Sequence, residues 1–229
     1  MKVFVAFVVL AILATLGFFF WQPNAIPQTS EQHSEVAVQN DSHAITTGSY
    51  TVIPAKSTIN WSAKKPLIEG YVNSGTLGVK EGSVTVTDTE ATGLLVIDME
   101  MLDVGLTAKK PGREGALEEH LKGERWFAVS EYPTATFSIT SAVPRADSDT
   151  TFIYEVTGDL TLKGQTHALT FPATIYLGAE DVLHAKASFE FDRTQWGVTS
   201  SSANFFENLA ENAVSDMVAM SFDITAQAQ

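Results

Sequence analysis

The second half of the chain contains three histidines, His120, His167 and His184, which are candidate metal ligands. Three imidazoles can form a catalytic zinc site. These three come from a predicted helix, the start of a predicted strand and a second strand, and no spacing aligns them. Glu119-His120 matches only a fragment of the H-E-x-x-H zinc motif, and no G-x-S-x-G nucleophile motif or cysteine occurs. We therefore predict a protein that is not an enzyme and that holds no metal.

Basic residues concentrate between positions 109 and 125, where they alternate with acidic ones. The window contains Lys109, Lys110, Arg113, Lys122 and Arg125. On a helix near the end of a folded domain, Arg113 and His120 could present donors to an oxygen atom of a ligand. The alternative is an ordinary solvated helix with ion pairs four residues apart, and His120 could equally be a core histidine beneath that helix.

Most of the elements around these residues are predicted to be strands, because apolar and polar residues alternate from Tyr50 onward. Such alternation is typical of half-buried β-strands. Glycine-containing breaks at residues 80–82 and 163–165 are predicted to separate strands. The stripes predicted to share one face include Ile59, Trp61, Ala63, Leu95, Ile97, Met99, Met101, Phe137, Ile139, Leu169, Phe171, Phe189 and Phe191.

One internal stretch, residues 114–127 (EGALEEHLKGERWF), departs from this alternation. Its apolar residues lie near helical spacing and Gly123 divides it, so we predict one or two short helices. Many strands with a single helical insertion indicate an antiparallel barrel or sandwich. Closure into a barrel would remove exposed strand edges. Trp196, which follows Asp192-Arg193, is predicted to close the barrel as a buried aromatic or to contact a ligand.

The N-terminus begins with an uncharged apolar run over residues 3–21. A helix of this length spans roughly 28 Å, close to the hydrocarbon thickness of a bilayer. The run ends in aromatic residues up to Trp21, which suit a membrane interface better than a peptidase site. We favour an uncleaved transmembrane anchor over a cleaved signal that ends at Ala25. Because Lys2 precedes the run and the next basic residue is Lys56, the bulk of the chain is predicted to be translocated.

Composition divides the rest of the chain into a linker and one domain. Residues 22–48 are polar, contain prolines and have no aromatic residue, which predicts a flexible linker. Residues 49–229 have the length of a single domain. The formal net charge of −13 argues against binding to nucleic acid and against broad adhesion to anionic lipid.

Three strings resemble a known family in their order and spacing. They are EHLKGERWFAVSEYPTATFSIT from Glu119, VTGDLTLKGQTHALTFPATI from Val156, and FEFDRTQWGV from Phe189 followed by NFFENLAENAVSD from Asn204. Together they resemble the YceI-like family of lipocalin-like lipid-binding proteins, over roughly residues 48–226. The resemblance implies an all-β, extended antiparallel lipocalin-like barrel whose apolar interior binds a long isoprenoid chain of polyprenyl or quinone type. Many relatives lack an anchor, and residues 64–71 (KKPLIEGY) lack a histidine that relatives often carry.

The resemblance implies non-enzymatic binding, carriage or sequestration of an isoprenoid lipid or quinone at the periplasmic face of the bacterial inner membrane, without a cofactor. A barrel with a filled core that acts as an interaction module in envelope assembly or stress response is the alternative. The sequence distinguishes neither a hollow from a filled barrel nor a monomer from a homodimer. The predicted ligand contacts are Arg113 and His120 for a pyrophosphate or quinone oxygen, and Trp61, Phe137, Phe171, Phe189 and Trp196 for the chain.

Overall fold

The computed structural model describes residues 45–145 and 153–229, and within them the chain forms nine antiparallel strands and one α-helix. The predicted anchor at residues 1–21 and most of the predicted linker lie outside the described residues. No helix in the described ranges is long and apolar enough to cross a bilayer. The elements are β1 (Gly48–Val52), β2 (Thr58–Lys64), β3 (Val72–Val86), β4 (Ala91–Thr107), α1 (Glu114–Lys122), β5 (Thr134–Pro144), β6 (Ile153–Leu162), β7 (Gln165–Leu177), β8 (Val182–Asp192) and β9 (Met217–Ala228).

The nine strands close into a barrel of eight strand positions. From β2 each strand pairs with the next in sequence as far as β9, and β9 pairs back with β2. The short β1 also lies between β3 and β9, in line with β2, and a 3₁₀ turn at Pro54–Lys56 separates the two. The predicted antiparallel barrel is thus confirmed, and within the described ranges its closure leaves no long strand edge unpaired.

The predicted alternation of inward and outward residues holds along most strands. On β2, Ile59 and Trp61 are buried while Thr58 and Asn60 are exposed. β4 departs from the prediction, because Met101 is exposed although Met99 is buried. Between the pairs Thr76↔Asp103 and Gly78↔Asp98, β4 has more residues than β3, so a bulge changes which face its residues occupy. Leu102 therefore points inward in place of Met101.

The two predicted glycine breaks have different outcomes. Lys163-Gly164 forms the tight turn between β6 and β7, with φ values of 50° and 73°. The break predicted at residues 80–82 is wrong, since β3 runs through it to Val86. The register of that stretch against β4 shifts between Val79 and Glu81 instead, so a bulge interrupts the strand without ending it.

The predicted helical stretch contains one helix, α1, and then a series of turns. Gly123 follows the last helical residue, and its backbone N–H donates to Glu119 O and His120 O. The predicted ion pair of i,i+4 type is present between Glu118 and Lys122, at 2.7 Å. The Thr107 hydroxyl lies 2.6 Å from Glu114 Oε1 and so joins the end of β4 to the first turn of α1.

The first described residues already contact the barrel. Ile45 packs against the core, and the Tyr50 hydroxyl donates to Thr46 O at 3.0 Å. Ile45 and Thr46 fall at the end of the predicted linker. The next element, β1, begins at Gly48, close to the predicted domain boundary.

Candidate ligand-binding site

The barrel encloses an apolar cavity of about 140 Å³, to which all eight strand positions and α1 contribute. The wall exposes no polar atom to the cavity. An apolar cavity of roughly this volume stays dry and can bind a small hydrocarbon such as benzene. The lining residues are Ile59, Trp61, Ala63, Leu77, Leu95, Ile97, Met99, Leu102, Leu121, Trp126, Phe127, Ala135, Phe137, Leu160, Leu162, Leu169, Phe171, Phe189, Phe191, Arg193, Val214, Val218, Met220 and Phe222.

Phenylalanines from four strands form the aromatic part of this wall. Phe171 on β7 stacks on Phe189 of β8, with ring centroids 4.3 Å apart, and lies 5.5 Å from Phe137 of β5. Phe222 of β9 meets Phe171 edge-on at 5.7 Å. Each ring occupies an inward position of its strand, so the alternation in the sequence is what brings the four together.

Trp61 on β2 adds an indole to the wall. Its Nε1 donates to Asp103 O of β4 at 3.2 Å, across the width of β3. The hydrogen bond satisfies the buried donor and fixes the ring, so the apolar face of the indole is left toward the cavity. Of the seven predicted ligand-contacting residues, Trp61, Phe137, Phe171 and Phe189 thus line one cavity.

The segment that includes α1 covers one side of the cavity. Leu121, Trp126 and Phe127 line the wall there. Trp126 is 7% exposed, and its indole N–H has no hydrogen-bond partner among the described residues. This ring, unlike that of Trp61, is therefore not fixed by a side-chain hydrogen bond to another described residue. Trp126 was not predicted as a cavity residue, because this segment lies between strands and has no alternating pattern.

Arg193 is a buried cation in the cavity wall that was not predicted from the sequence. It is 2% exposed, and its guanidinium lies 5.2 Å from the Trp126 ring. Burial lowers the pKa of Arg193 from its usual value, and the nearby carboxylates of Asp216 and Asp192 oppose that shift. Its N–H groups donate to Val198 O, Ser200 O, Val214 O, Ser215 O and Asp216 Oδ1. Arg193 thus ties the loop between β8 and β9 to the end of the barrel.

Trp196, another predicted contact, is buried but does not line the cavity. It is 1% exposed, and its Nε1 donates to Leu160 O at 2.8 Å. The rings of His167 and Phe191 meet it edge-on at 5.3 and 5.2 Å. This environment agrees with the predicted buried aromatic that closes the barrel.

The polar pair predicted for a ligand oxygen lies outside the cavity. Arg113 precedes α1 and His120 lies on its exposed face, and neither contributes to the wall. His120 is exposed, so its placement as a core histidine is wrong, although its ring meets Trp126 edge-on at 5.9 Å. In the described residues no three potential metal ligands cluster, and His167 and His184 lie apart on β7 and β8.

Comparison with known proteins places this barrel in a class. The YceI-like domain family matches residues 50–226. BcnA of Burkholderia cenocepacia has a TM-score of 0.59 and 21% sequence identity, with 77% of this chain and 99% of that chain covered. A polyisoprenoid binding domain of Saccharophagus degradans, implicated in plant cell wall breakdown, has a TM-score of 0.58 and 14% identity, with 80% and 100% covered. No curated protein sequence matches the chain.

The described residues thus form a lipocalin-like antiparallel barrel with an apolar interior, and the two solved structures share that fold. The chain belongs to the YceI-like family.

Proposed function

We propose that this protein binds the hydrocarbon chain of an isoprenoid lipid, of polyprenyl or quinone type, and carries or sequesters it without catalysing a reaction. The observation that carries the proposal is the apolar cavity whose wall exposes no polar atom. Membership of the YceI-like family and the fold shared with a polyisoprenoid binding domain support it.

Because the cavity wall is apolar, the hydrocarbon chain and the head group of the ligand must bind in different places. A hydrocarbon chain can replace the empty volume without loss of hydrogen bonds, whereas a buried head group would find no partner in the wall. We therefore place the head group at the protein surface near α1. Arg113 and His120 are exposed there and would supply the donors for a pyrophosphate or quinone oxygen.

The size of the cavity determines what must move when a long chain binds. About 140 Å³ suits a group the size of benzene, so a chain of about forty carbons needs side chains to shift. Trp61 and Trp196 are each held by an indole hydrogen bond, but Trp126 has none among the described residues. Trp126 can move without breaking a hydrogen bond, so we propose that the chain enters on the α1 side.

The free energy of transfer from a membrane to the cavity does not decide which lipid is bound. Burial from water is favourable by about 0.8 kcal/mol per methylene, but a membrane lipid starts out of water and gains little on transfer. The fit of the chain to the wall and the contacts of its head group must then decide which lipid binds.

The small cavity also favours a second candidate function. A barrel whose side chains nearly fill its interior could act as an interaction module in envelope assembly or stress response, and would carry no lipid.

Native mass spectrometry of the full chain, extracted from cells with a mild detergent, separates the two. We expect a bound species with the mass of an isoprenoid lipid or quinone, which dissociates on activation. A chain without such a species, whose thermal stability ignores added polyprenol and quinone, would contradict the lipid-binding proposal and leave the interaction module.

We further propose that the apolar run at residues 3–21 anchors the domain at the periplasmic face of the inner membrane, as a single-pass protein. Intact mass of the protein purified from cells tests this. We expect the complete chain in the membrane fraction, and a soluble protein that lacks residues 1–25 would show a cleaved signal instead.

A further inference from the structure

Two neighbouring loops at one end of the barrel form a surface with an unusual composition. This basic surface comprises residues 64–72, from the end of β2 to the start of β3, and residues 106–113, from the end of β4 to the start of α1. The two segments are joined by the pairs Ser74↔Leu106 and Asn73↔Thr107 and by the bond from Ala108 N to Val72 O, at 3.3 Å. The Lys109 side chain lies beside Gly70.

The charge of the basic surface is opposite to that of the rest of the chain. It contains five basic residues, Lys64, Lys65, Lys109, Lys110 and Arg113, and one acidic residue, Glu69, for a formal charge of +4. Since the whole chain carries −13, the remainder carries −17. None of the five forms an ion pair with another described residue, although Lys65 Nζ lies 5.0 Å from the Tyr71 ring centroid. Their charges are therefore available to a partner.

Exposed apolar side chains stand among these charges. Leu67 is 67% exposed, Leu106 48% and Val72 38%. Phe205 and Phe206, 57% and 49% exposed, lie at the same end of the barrel in the β8–β9 loop, which also carries the exposed Glu207 and meets β2 where Ser215 N donates to Lys64 O at 2.8 Å. Apolar side chains surrounded by lysine and arginine are the composition of segments that insert into the interface of an anionic bilayer.

We propose that the basic surface docks the barrel on an anionic lipid bilayer, with Leu67 inserted among the acyl chains. The charge of the surface selects this partner, because each lysine or arginine near an anionic bilayer strengthens binding about fivefold. Ala63, which lines the cavity, directly precedes Lys64, so docking brings this end of the cavity to the membrane. The proposal extends the proposed lipid binding by naming the surface from which the ligand is taken or to which it is returned.

The test uses the full chain, which has no cysteine and so accepts a single environment-sensitive label. The fluorophore NBD is attached to Leu67→Cys or, as a control, to Asp88→Cys in the β3–β4 turn at the opposite end of the barrel. Each protein is mixed with phosphatidylcholine vesicles, with or without phosphatidylglycerol. A label at a defined position reports contact of that loop with lipid even where the N-terminal run already holds the chain on the vesicle.

We expect the label at position 67 to shift to the blue and brighten with phosphatidylglycerol vesicles and much less with phosphatidylcholine alone, while the label at position 88 stays in water. Lys109→Gln with Lys110→Gln should lower the ratio of lipid-bound to water-exposed label about fivefold for each lysine. The matched pair Lys56→Gln and Lys80→Gln, exposed residues outside the basic surface, should leave it unchanged.

An unshifted label at position 67, or equal shifts at positions 67 and 88, would overturn the docking proposal. Equal effects of the two double lysine substitutions would also overturn it, because they would show that the vesicle attracts the protein through its overall charge and not through the basic surface. This outcome is separate from the proposed function, since a chain that yields a bound isoprenoid by mass spectrometry can still fail the vesicle test.

Discussion

At the scale of single residues, the hydrogen-bond acceptors around Arg193 explain how a cation can form part of an apolar wall. A guanidinium out of water is costly unless its N–H groups find acceptors. Four backbone oxygens and Asp216 supply them, so polar atoms turn away from the cavity and the Trp126 ring lies over the guanidinium carbon. Arg193 is thus a structural residue that permits an apolar cavity next to a polar loop.

Replacement of Arg193 by alanine should destabilise the barrel by about 3–5 kcal/mol, because it leaves four carbonyl oxygens and the carboxylate of Asp216 without their partner. Urea denaturation followed by tryptophan fluorescence measures the change. The matched control is Arg125→Ala, whose exposed side chain should cost less than about 0.5 kcal/mol. Equal losses in the two variants would contradict the assigned role.

The hydrogen bond between Thr107 at the end of β4 and Glu114 of α1 should contribute to stability in a pH-dependent way. The hydrogen bond from Thr107, helped by backbone N–H groups, lowers the pKa of Glu114 below its usual 4.5. The associated stability is therefore complete above pH 4.5 and is lost as pH falls through the lowered pKa in the folded state.

In Thr107→Val, NMR titration of the Glu114 carboxyl should give a pKa closer to 4.5, and the stability difference from wild type should shrink in acid. The exposed substitution Thr58→Val is the control and should leave that pKa unchanged. A pKa of Glu114 that is the same in all three proteins would show that Thr107 is not the cause.

Residues of regular strands could be placed from the sequence, whereas residues of loops could not. Phe137, Phe171 and Phe189 follow the alternation that defines an inward face, so their inward orientation was predicted from the period alone. Arg193 and Trp126 line the same cavity from segments without alternation, and their neighbours come from distant parts of the chain. Contacts between residues so far apart in the chain cannot be predicted from a local sequence pattern.

At the scale of elements, the strands depend on where glycine forms a turn and where it lies inside a strand. Gly164 adopts a positive φ in the turn between β6 and β7. Gly82, in contrast, lies inside β3, where an added Cβ would come within 2.8 Å of Val52. Glycine serves conformation in the first case and close packing in the second, and the two are alike in sequence. The break predicted at residues 80–82 failed for this reason.

Gly164→Ala should destabilise the protein more than Gly112→Ala, although both glycines have positive φ. At Gly112 an added methyl group meets nothing within 4 Å, so only the backbone strain of about 1 kcal/mol applies. At Gly164 the methyl carbon would lie 2.8 Å from the Tyr132 ring, which raises the expected loss to about 2–4 kcal/mol. Thermal denaturation of both variants checks the difference, and equal losses would mean that Tyr132 moves freely aside.

At the scale of the whole molecule, an acidic chain presents one basic end. The formal charge of −13 suggested that anionic lipid would be avoided, because a sum over the sequence treats every charge alike. The fold brings the loop after β2 beside the loop after β4, and these two loops carry five of the fourteen basic residues. The alternating strands predicted an antiparallel barrel or sandwich, but this pairing of loops depends on strand order and became visible only in the structure.

The cavity gives the last prediction, since a single added side chain can occupy it. Ala135 on β5 is 2% exposed and lines the cavity, while its neighbour Thr136 does not. Ala135→Leu adds three carbons to the wall and should reduce the space for a lipid chain, with a change in basal stability within about 3 kcal/mol. Thr136→Leu adds a similar apolar side chain without entering the cavity.

An isoprenoid ligand at a hundred times its dissociation constant should stabilise the wild-type chain by about 2.7 kcal/mol and raise its Tm accordingly. We expect Thr136→Leu to keep this shift and Ala135→Leu to lose most of it, measured by differential scanning fluorimetry in detergent with added polyprenol or quinone. The comparison is made between ligand-free and ligand-loaded samples of each variant, so a basal loss of stability does not count as lost binding. Equal shifts in the two variants would show that the ligand binds elsewhere and that the interior is only a packed core.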